Sequence, residues 1–215
     1  MSGGITFRPT RFPPSPRPVR SLVVCLAFAT LSTGCVHSYQ AIDYQSTDFV
    51  RAVSDDGLEF AYLYDAQPGY YGGKAAKRGY SVVAVRVVNT TGEPVVLDRN
   101  TLQVLYADAP VTPVRGEVAA REVRQPVLNK LLWALLNVTI YNGSGEVTAF
   151  IPVGPVLAAT TMLTSSANNR KARRDYTDQS VFSLTVPPNE TAEGIIILRG
   201  TGRAPISFDY LPAGD

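Results

Sequence analysis

Short segments in which apolar and polar side chains alternate constrain the fold of this chain more than any other feature. The first of them presents four apolar side chains on one face: Leu58, Phe60, Tyr62 and Tyr64. Similar segments recur to the end of the chain, at residues 80–88, 95–97, 102–106, 182–186, 194–198 and 206–210. A period of two is typical of half-buried β-strands, and the Gly, Pro and Asn residues between the segments are typical of turns. Seven such strands predict a mainly β fold, which we interpret as an immunoglobulin-like β-sandwich.

Two of the segments are apolar on both faces. Residues 80–88 contain five valines, and residues 194–198 contain no polar side chain. We expect the first of these strands to lie in the centre of a sheet, where both faces are buried. The chain has 215 residues, of which 45% are hydrophobic, so a single globular domain is the natural expectation.

Residues 117–175 interrupt the strand pattern. Residues 117–125 have a helical pattern, and Pro126 is well placed to begin a second helix whose leucines recur with helical spacing. A second apolar stretch at residues 150–163 leads into a basic run. Neither stretch reaches the ~20 uninterrupted apolar residues that a membrane-spanning helix needs. We therefore predict a helical apolar insertion at about residues 117–175.

Two interpretations of the insertion follow. We expect it to cover an open face or edge of the sandwich, with the basic run at a helix C-terminus, because burial is the commonest fate of an apolar face. In the alternative, the insertion forms a flap that rests on lipid or on a membrane partner, with basic side chains at the head groups. The contact residues would then be Leu131, Leu132, Trp133, Leu135, Leu136, Arg170, Lys171, Arg173 and Arg174.

A Gly-rich segment at residues 65–79 is the best candidate for a binding loop. It lies between two predicted strands and combines aromatic and basic side chains: Tyr70, Tyr71, Lys74, Lys77 and Arg78. Aromatic faces beside cations stack on sugars and pair with anionic polymers, lipid head groups or proteins. In the alternative, the segment only connects two strands, and its tyrosines fold back on the sheet.

The N-terminus has the pattern of an export signal. Residues 8–20 are rich in Arg and Pro, and the short apolar run 21–33 ends beside Gly34 and Cys35. A basic head, a short apolar run and a small residue are typical of a secretory signal. The chain here resembles bacterial lipoproteins, whose lipobox ends in a small residue, Gly or Ala, and a lipidated Cys. Thr33-Gly34-Cys35 matches that order, while Ser32 stands where Leu is usual.

The resemblance to lipoproteins implies an organisation in three parts. Residues 1–34 would be a signal peptide that is removed, residues 35–56 a tether lipidated at Cys35 with acyl chains such as palmitate, and residues 57–215 the β-sandwich domain. Val36 follows the cysteine where Asp would favour the inner membrane. The resemblance therefore implies an anchor in the outer membrane of a bacterial cell envelope, with the domain facing the periplasm.

Removal of the signal peptide changes the charge of the chain. Without the four arginines of residues 1–34, 16 basic and 18 acidic residues remain, so the mature chain is slightly acidic. This charge gives no reason to expect nucleic acid as a partner. Cys35 would be the only cysteine left, so we expect no intrachain disulfide.

Few residues are able to carry catalysis or hold a metal. The single histidine, His37, lies two residues from the proposed anchor, and no cysteine follows Cys35. A Ser-His or Cys-His pair and a zinc site are therefore not expected. The chain also has no phosphate-loop or dinucleotide-binding glycine motif. We predict that the protein is not an enzyme and has no cofactor.

These observations together predict a non-catalytic, membrane-anchored envelope lipoprotein. Its expected role is to bind or scaffold another envelope component, an envelope protein or a cell-wall partner. The alternative is a lipid-handling or membrane-contacting module that uses the apolar insertion. A hydrolase of envelope polymer is a third option, since two carboxylates from distant strands would suffice for that chemistry.

Overall fold

The computed structural model describes residues 36–46, 48–52, 57–200 and 202–211. The proposed signal peptide and Cys35 lie outside these residues. Eleven strands lie within the described residues: β1 (Val50–Arg51), β2 (Leu58–Leu63), β3 (Tyr80–Asn89), β4 (Val95–Leu97), β5 (Leu102–Tyr106), β6 (Ala109–Val111), β7 (Val138–Tyr141), β8 (Val147–Ile151), β9 (Leu184–Val186), β10 (Thr191–Arg199) and β11 (Ile206–Tyr210). The same residues form three α-helices, α1 (Gly69–Lys77), α2 (Gly116–Val123) and α3 (Gly154–Asp178), and two 3₁₀ helices, Leu128–Leu135 and Val181–Ser183. Each of the seven predicted segments contains a strand.

A four-stranded antiparallel sheet forms the centre of the described domain, with the strand order β1-β2-β3-β10. In β3, Val87 lies opposite Phe60 of β2 and opposite Ala192 of β10. Most side chains of β3 are buried, on both faces of the sheet. The prediction of a central strand at residues 80–88 is therefore confirmed.

One face of this central sheet packs against two smaller antiparallel sheets. Their strand orders are β11-β5-β6 and β4-β9. The apolar core on this face takes side chains from all three sheets, among them Phe60, Val85, Leu97, Val104 and Phe208. The rings of Phe60 and Phe208 stack with their centroids 4.7 Å apart. The side chains that alternate in the sequence therefore meet in this core.

Helices cover the opposite face of the central sheet. Val82 and Ile197 of the sheet form a second core with Tyr71 of α1, Val123 of α2 and Tyr176 of α3. Gly116, the first residue of α2, lets two helices approach closely. A Cβ at this position would overlap a backbone carbonyl of α3. The described domain is thus mixed, with several small antiparallel sheets and three helices.

The predicted insertion contains more than helices. The segment after Pro126 forms the first 3₁₀ helix, and β7 and β8 pair as an antiparallel hairpin. Pro155 lies in the first turn of α3, where a proline is tolerated because the first helical N–H groups have no partner within the helix. The basic run at residues 170–174 lies inside α3, which ends at Asp178. The predicted helical insertion is therefore helical only in part, and the prediction that its basic run lies at a helix C-terminus is wrong.

Only part of the insertion is buried against the central sheet. α2 contributes Ala119 and Val123 to the second core, and the C-terminal half of α3 contributes Ala172 and Tyr176. Residues 128–163 are absent from both cores. The expectation that the insertion covers an open face of the sheet is confirmed for α2 and the end of α3, and it is wrong for residues 128–163.

Candidate functional site

Residues 128–163, which we call the projection, expose a large apolar surface. They comprise the first 3₁₀ helix, the β7–β8 hairpin and the first part of α3. Twelve large apolar side chains are exposed there: Leu128, Leu131, Leu132, Leu135, Leu136, Ile140, Tyr141, Val147, Phe150, Ile151, Val156 and Leu163. The projection contains only two charged residues, Lys130 and Glu146. Large apolar patches are rare on soluble monomers, and where they occur they mark interaction sites.

The projection is held together by close backbone contacts. Gly154, the first residue of α3, donates its N–H to the carbonyl oxygen of Leu136 at 2.8 Å. A Cβ on Gly154 would lie within 2.6 Å of three carbonyl oxygens of the segment that precedes the hairpin, so only glycine fits there. At the hairpin tip, the Asn142 side-chain oxygen accepts from the backbone N–H groups of Ser144 and Glu146. The apolar surface is therefore carried by defined structure.

The leucines predicted as contact residues lie together on the projection. Leu132 and Leu135 are 71% and 77% exposed, and Leu131 and Leu136 are also exposed. Trp133 is half-buried. The structure thus exposes four of the five predicted apolar contact residues.

The basic residues predicted with them are exposed but lie further along α3, at Arg170, Lys171, Arg173 and Arg174. Because α3 turns by 100° per residue, these four side chains fan over roughly 160° of the helix surface, with Arg173 at one end and Lys171 at the other. Arg170 and Arg173 point to the side of α2, where they line a groove described below. Two of the four basic side chains therefore line the groove, and Lys171 and Arg174 do not.

Residues 36–46, which the sequence assigns to a tether, are packed against the helices. Ile42 is buried in the second core. The ring of His37 stacks on the ring of Tyr70, with centroids 4.4 Å apart and the planes 11° apart. The phenol of Tyr44 donates to the Gln179 side chain at 2.9 Å. The chain thus enters the domain in a fixed position beside α1 and α3.

A network of buried amide and phenol groups, which we call the polar junction, fixes that position. Its members are His37, Tyr71, Gln125, Asn168 and Asn169. The Gln125 amide donates to the carbonyl oxygen of His37 at 2.6 Å and to the Tyr71 hydroxyl at 3.1 Å. Its side-chain oxygen accepts from the His37 N–H at 3.3 Å. The junction therefore joins the entering chain to the base of the projection.

The two asparagines extend the junction into α3. Asn168 donates to the carbonyl oxygen of His37 at 3.2 Å. Asn169 accepts from the N–H of Gln125 at 2.7 Å and donates to its carbonyl oxygen at 3.0 Å. The Tyr71 hydroxyl donates to Asn169 at 3.0 Å. Burial raises the pKa of Tyr71, so the phenol remains a hydrogen-bond donor at neutral pH.

The segment predicted as a Gly-rich loop is a helix, which corrects the interpretation of its candidate binding residues. Tyr71 is 1% exposed and belongs to the junction, so it is not available to a partner. Tyr70 is half-buried against His37, and the Lys74 ammonium lies 5.6 Å from the Tyr70 ring centroid. Lys77 and Arg78 at the end of α1 are exposed. The loop prediction is wrong because Tyr71 and Ala75, one helical turn apart, bury their side chains against the sheet.

A basic groove of about 1010 Å³ lies beside the junction, between α1, α2 and α3. Six cationic side chains line it: Lys74, Arg78, Arg121, Arg124, Arg170 and Arg173. The acidic side chains in the lining are Glu117 and Glu122. Lys74 donates to the backbone carbonyl of Arg124, which ties α1 to the end of α2. The groove therefore carries an excess of positive charge on a fixed backbone.

No pattern in the sequence indicates that a functional site contains Gln125, Asn168 and Asn169. Amide side chains are ordinary on exposed helix faces, and only the tertiary packing shows that these three meet. Arg121 and Arg124 were equally inconspicuous, because they complete a groove with residues of α1 and α3 that are distant in sequence. Tyr71 has two interpretations in the sequence, a stacking ring for a partner or a ring folded back on the sheet, and the structure confirms the second.

The described residues contain no group of three or more His, Cys, Asp or Glu side chains arranged to hold a metal ion. Within the same part of the chain, no helix has the length and hydropathy to cross a membrane. No family model, curated protein or solved structure matches the chain.

Proposed function

We propose that this protein is a non-catalytic bacterial envelope lipoprotein, anchored through Cys35, whose projection makes contact with the membrane surface. The observation that carries the proposal is the set of twelve exposed apolar side chains on a segment with two charged residues. A leucine that is about three-quarters exposed gains about 1–2 kcal/mol when it is buried in an apolar environment. Several such leucines supply enough free energy to hold the projection at the boundary between head groups and acyl chains.

The position of the chain entry supports contact with the membrane that holds the anchor. Cys35 precedes His37 by two residues in the sequence, and His37 is fixed at the base of the projection by the polar junction. From Asn168 in the junction, α3 runs for 14 residues back to Gly154, a length of about 21 Å. An acyl anchor and an apolar surface carried by the same domain act as two signals, which together give stable attachment.

The same proposal includes the compartment and the finer fold. Val36 after the lipidated cysteine favours the outer membrane, with the domain in the periplasm. We interpret the central sheet and the two smaller sheets as an immunoglobulin-like sandwich whose second face is covered by helices. Support comes from the core that takes side chains from all three sheets.

Vesicle flotation of a soluble chain that starts at residue 36 tests the membrane contact. This chain retains both apolar cores, which are built from residues between 42 and 208. We expect it to float with phosphatidylcholine vesicles. Leu132→Glu with Leu135→Glu should weaken the partition at least about tenfold, since burial of one leucine already contributes that factor.

The control carries the same two changes outside the projection. Val96 and Leu211 are each 54% exposed and lie on other surfaces of the domain. Val96→Glu with Leu211→Glu should leave flotation unchanged. A soluble chain that does not float, or two double variants with the same loss, would refute the membrane contact.

A second candidate function is assembly with another protein chain, and the hairpin favours it. β7 and β8 form a two-stranded sheet in the described structure, so each strand has one open edge. An open edge with apolar side chains is a template for a further strand. Crosslinking in intact cells tests this function. A specific crosslinked product that disappears when residues 138–151 are replaced would support assembly, and the absence of any product would count against it.

A further inference from the structure

We propose that the basic groove binds the phosphate-bearing head group of an anionic phospholipid, a proposal that rests on the membrane contact proposed above. The lining has six cationic and two acidic side chains, which leaves four positive charges in excess. Five of the six cations are arginines, and the guanidinium group binds phosphate oxygens with two parallel hydrogen bonds. The groove is thus suited to a phosphate group in its charge and in its donors.

The cations of the groove have no acidic partner among the described residues. The ion pairs there are Arg51–Glu59, Arg86–Glu193 and Arg203–Asp65, and none of them lies in the groove. Glu117 and Glu122 line the groove without an ion pair to its cations. An anion from outside the chain would therefore meet cations that no carboxylate of the described residues already pairs.

The backbone that carries the cations is held in place by the packing already described. Arg170 and Arg173 are three residues apart on one face of α3, while Arg121 lies in the last turn of α2 and Arg124 directly follows that helix. Gln125 follows Arg124 directly and bonds to Asn169, which directly precedes Arg170. The junction thus sets the spacing between the two arginine pairs before any ligand binds, which reduces the ordering cost of binding.

The groove opens towards the apolar surface, which identifies a lipid as the source of the phosphate. Its lining continues from the arginines to Pro126, Val127 and Leu128, and Leu128 is the first residue of the projection. A volume of about 1010 Å³ also exceeds what a phosphate ion fills. A glycerophosphate head group in the groove would have its acyl chains beside the exposed leucines. Basic pockets next to apolar surfaces bind lipid head groups in this way.

Flotation with two vesicle compositions tests the head-group site. The chain that starts at residue 36 is mixed with phosphatidylcholine vesicles or with vesicles that also contain phosphatidylglycerol. We expect the wild type to bind the anionic vesicles more tightly. Arg170→Gln with Arg173→Gln should abolish most of that preference, while binding to phosphatidylcholine alone stays the same.

The matched control lies on the same helix. Lys171→Gln with Arg174→Gln removes the same charge from side chains that do not line the groove. We expect the groove variant to lose about tenfold more affinity for anionic vesicles than this control. Equal losses would show unspecific attraction and would overturn the site. Glycerol 3-phosphate or inorganic phosphate that displaces the chain fully at micromolar concentration would show a soluble anion as the ligand and would also overturn the lipid.

The two proposals fail in different ways. Equal binding of the wild type to both vesicle compositions refutes the head-group site and leaves the membrane contact intact. Loss of flotation in the Leu132→Glu, Leu135→Glu variant on both compositions supports the membrane contact and does not bear on the arginines. Wild type that binds neither composition refutes both.

Discussion

Two adjacent glycines of α1 should respond to the same substitution in opposite directions. A Cβ on Gly73 would meet no atom within 4 Å, so Gly73→Ala should stabilise the helix by about 0.5–1 kcal/mol. A Cβ on Gly72 would overlap the backbone carbonyl oxygen of Gln67, which must then move by more than about 1 Å to reach ordinary contact distance.

That movement would disturb the hydrogen bonds of the buried Gln67 side chain. Its amide donates to the Gln40 carbonyl at 2.8 Å, and its oxygen accepts from the Tyr39 hydroxyl at 3.2 Å. The loss of two hydrogen bonds costs about 1 kcal/mol each, and overpacking costs about 1–3 kcal/mol more. This total cost exceeds the gain in helix propensity. Gly72→Ala should therefore cost about 2–4 kcal/mol.

Thermal unfolding followed by circular dichroism measures both effects on the chain that starts at residue 36. For a domain of this size, a change of 1 kcal/mol in the free energy of unfolding shifts the Tm by about 2–4 °C. We therefore expect Gly72→Ala to lower the Tm by roughly 5–15 °C. The same scale predicts a Tm higher by about 1–4 °C for Gly73→Ala. Equal and small effects of the two substitutions would refute the reasoning, because they are what a flexible Gly-rich loop would give.

Two further predictions concern buried polar groups. Gln125→Leu removes three side-chain hydrogen bonds and should cost about 2–4 kcal/mol in urea denaturation, whereas Gln103→Leu on an exposed position of β5 should change stability by less than about 0.5 kcal/mol. The Tyr176 hydroxyl is buried without a hydrogen-bond partner among the described residues, so Tyr176→Phe should leave stability at neutral pH unchanged or higher. Burial raises the pKa of Tyr176 above its ordinary value of 10.0, so the unfolded chain loses this proton first as the pH rises. The free energy of unfolding should therefore fall above pH 10, with a contribution of about 1.4 kcal/mol per pH unit from this residue. Tyr176→Phe should remove that contribution, and an unchanged slope of the free energy of unfolding against pH would contradict the prediction.

The strands were predictable from the sequence because each has a local signal. Alternation in 58–64 and the valines of 80–88 depend only on which side chains face a core, and the structure confirms both. Helix α1 was not predictable from composition, since its glycines disfavour a helix on propensity alone. Tertiary contacts decide it: Tyr71 and Ala75 are buried, and Gly72 permits the close approach of Gln67.

The candidate site was predictable only in its apolar part. The leucines of residues 128–136 stand out in the sequence, but their exposure depends on where the chain places the first 3₁₀ helix. The hairpin was missed because its strands have the same apolar composition as the helices on either side, and short apolar runs do not distinguish the two. The groove needs Arg124 beside Arg170, a pairing of residues distant in sequence that no local pattern indicates.

The polar junction would limit how freely the domain moves relative to the proposed anchor, which a flexible tether would not do. A tether of twenty polar residues would let the domain sample many heights and orientations above the membrane. His37 is instead bonded to Gln125 and Asn168, the groove begins at the neighbouring residues, and the projection follows from Leu128. One set of side-chain hydrogen bonds thus joins residue 37, the groove and the base of the projection. Under the proposed function, a lipid two residues before His37 then restricts which face of the domain meets the membrane, because His37 is bonded beside the groove and the base of the projection.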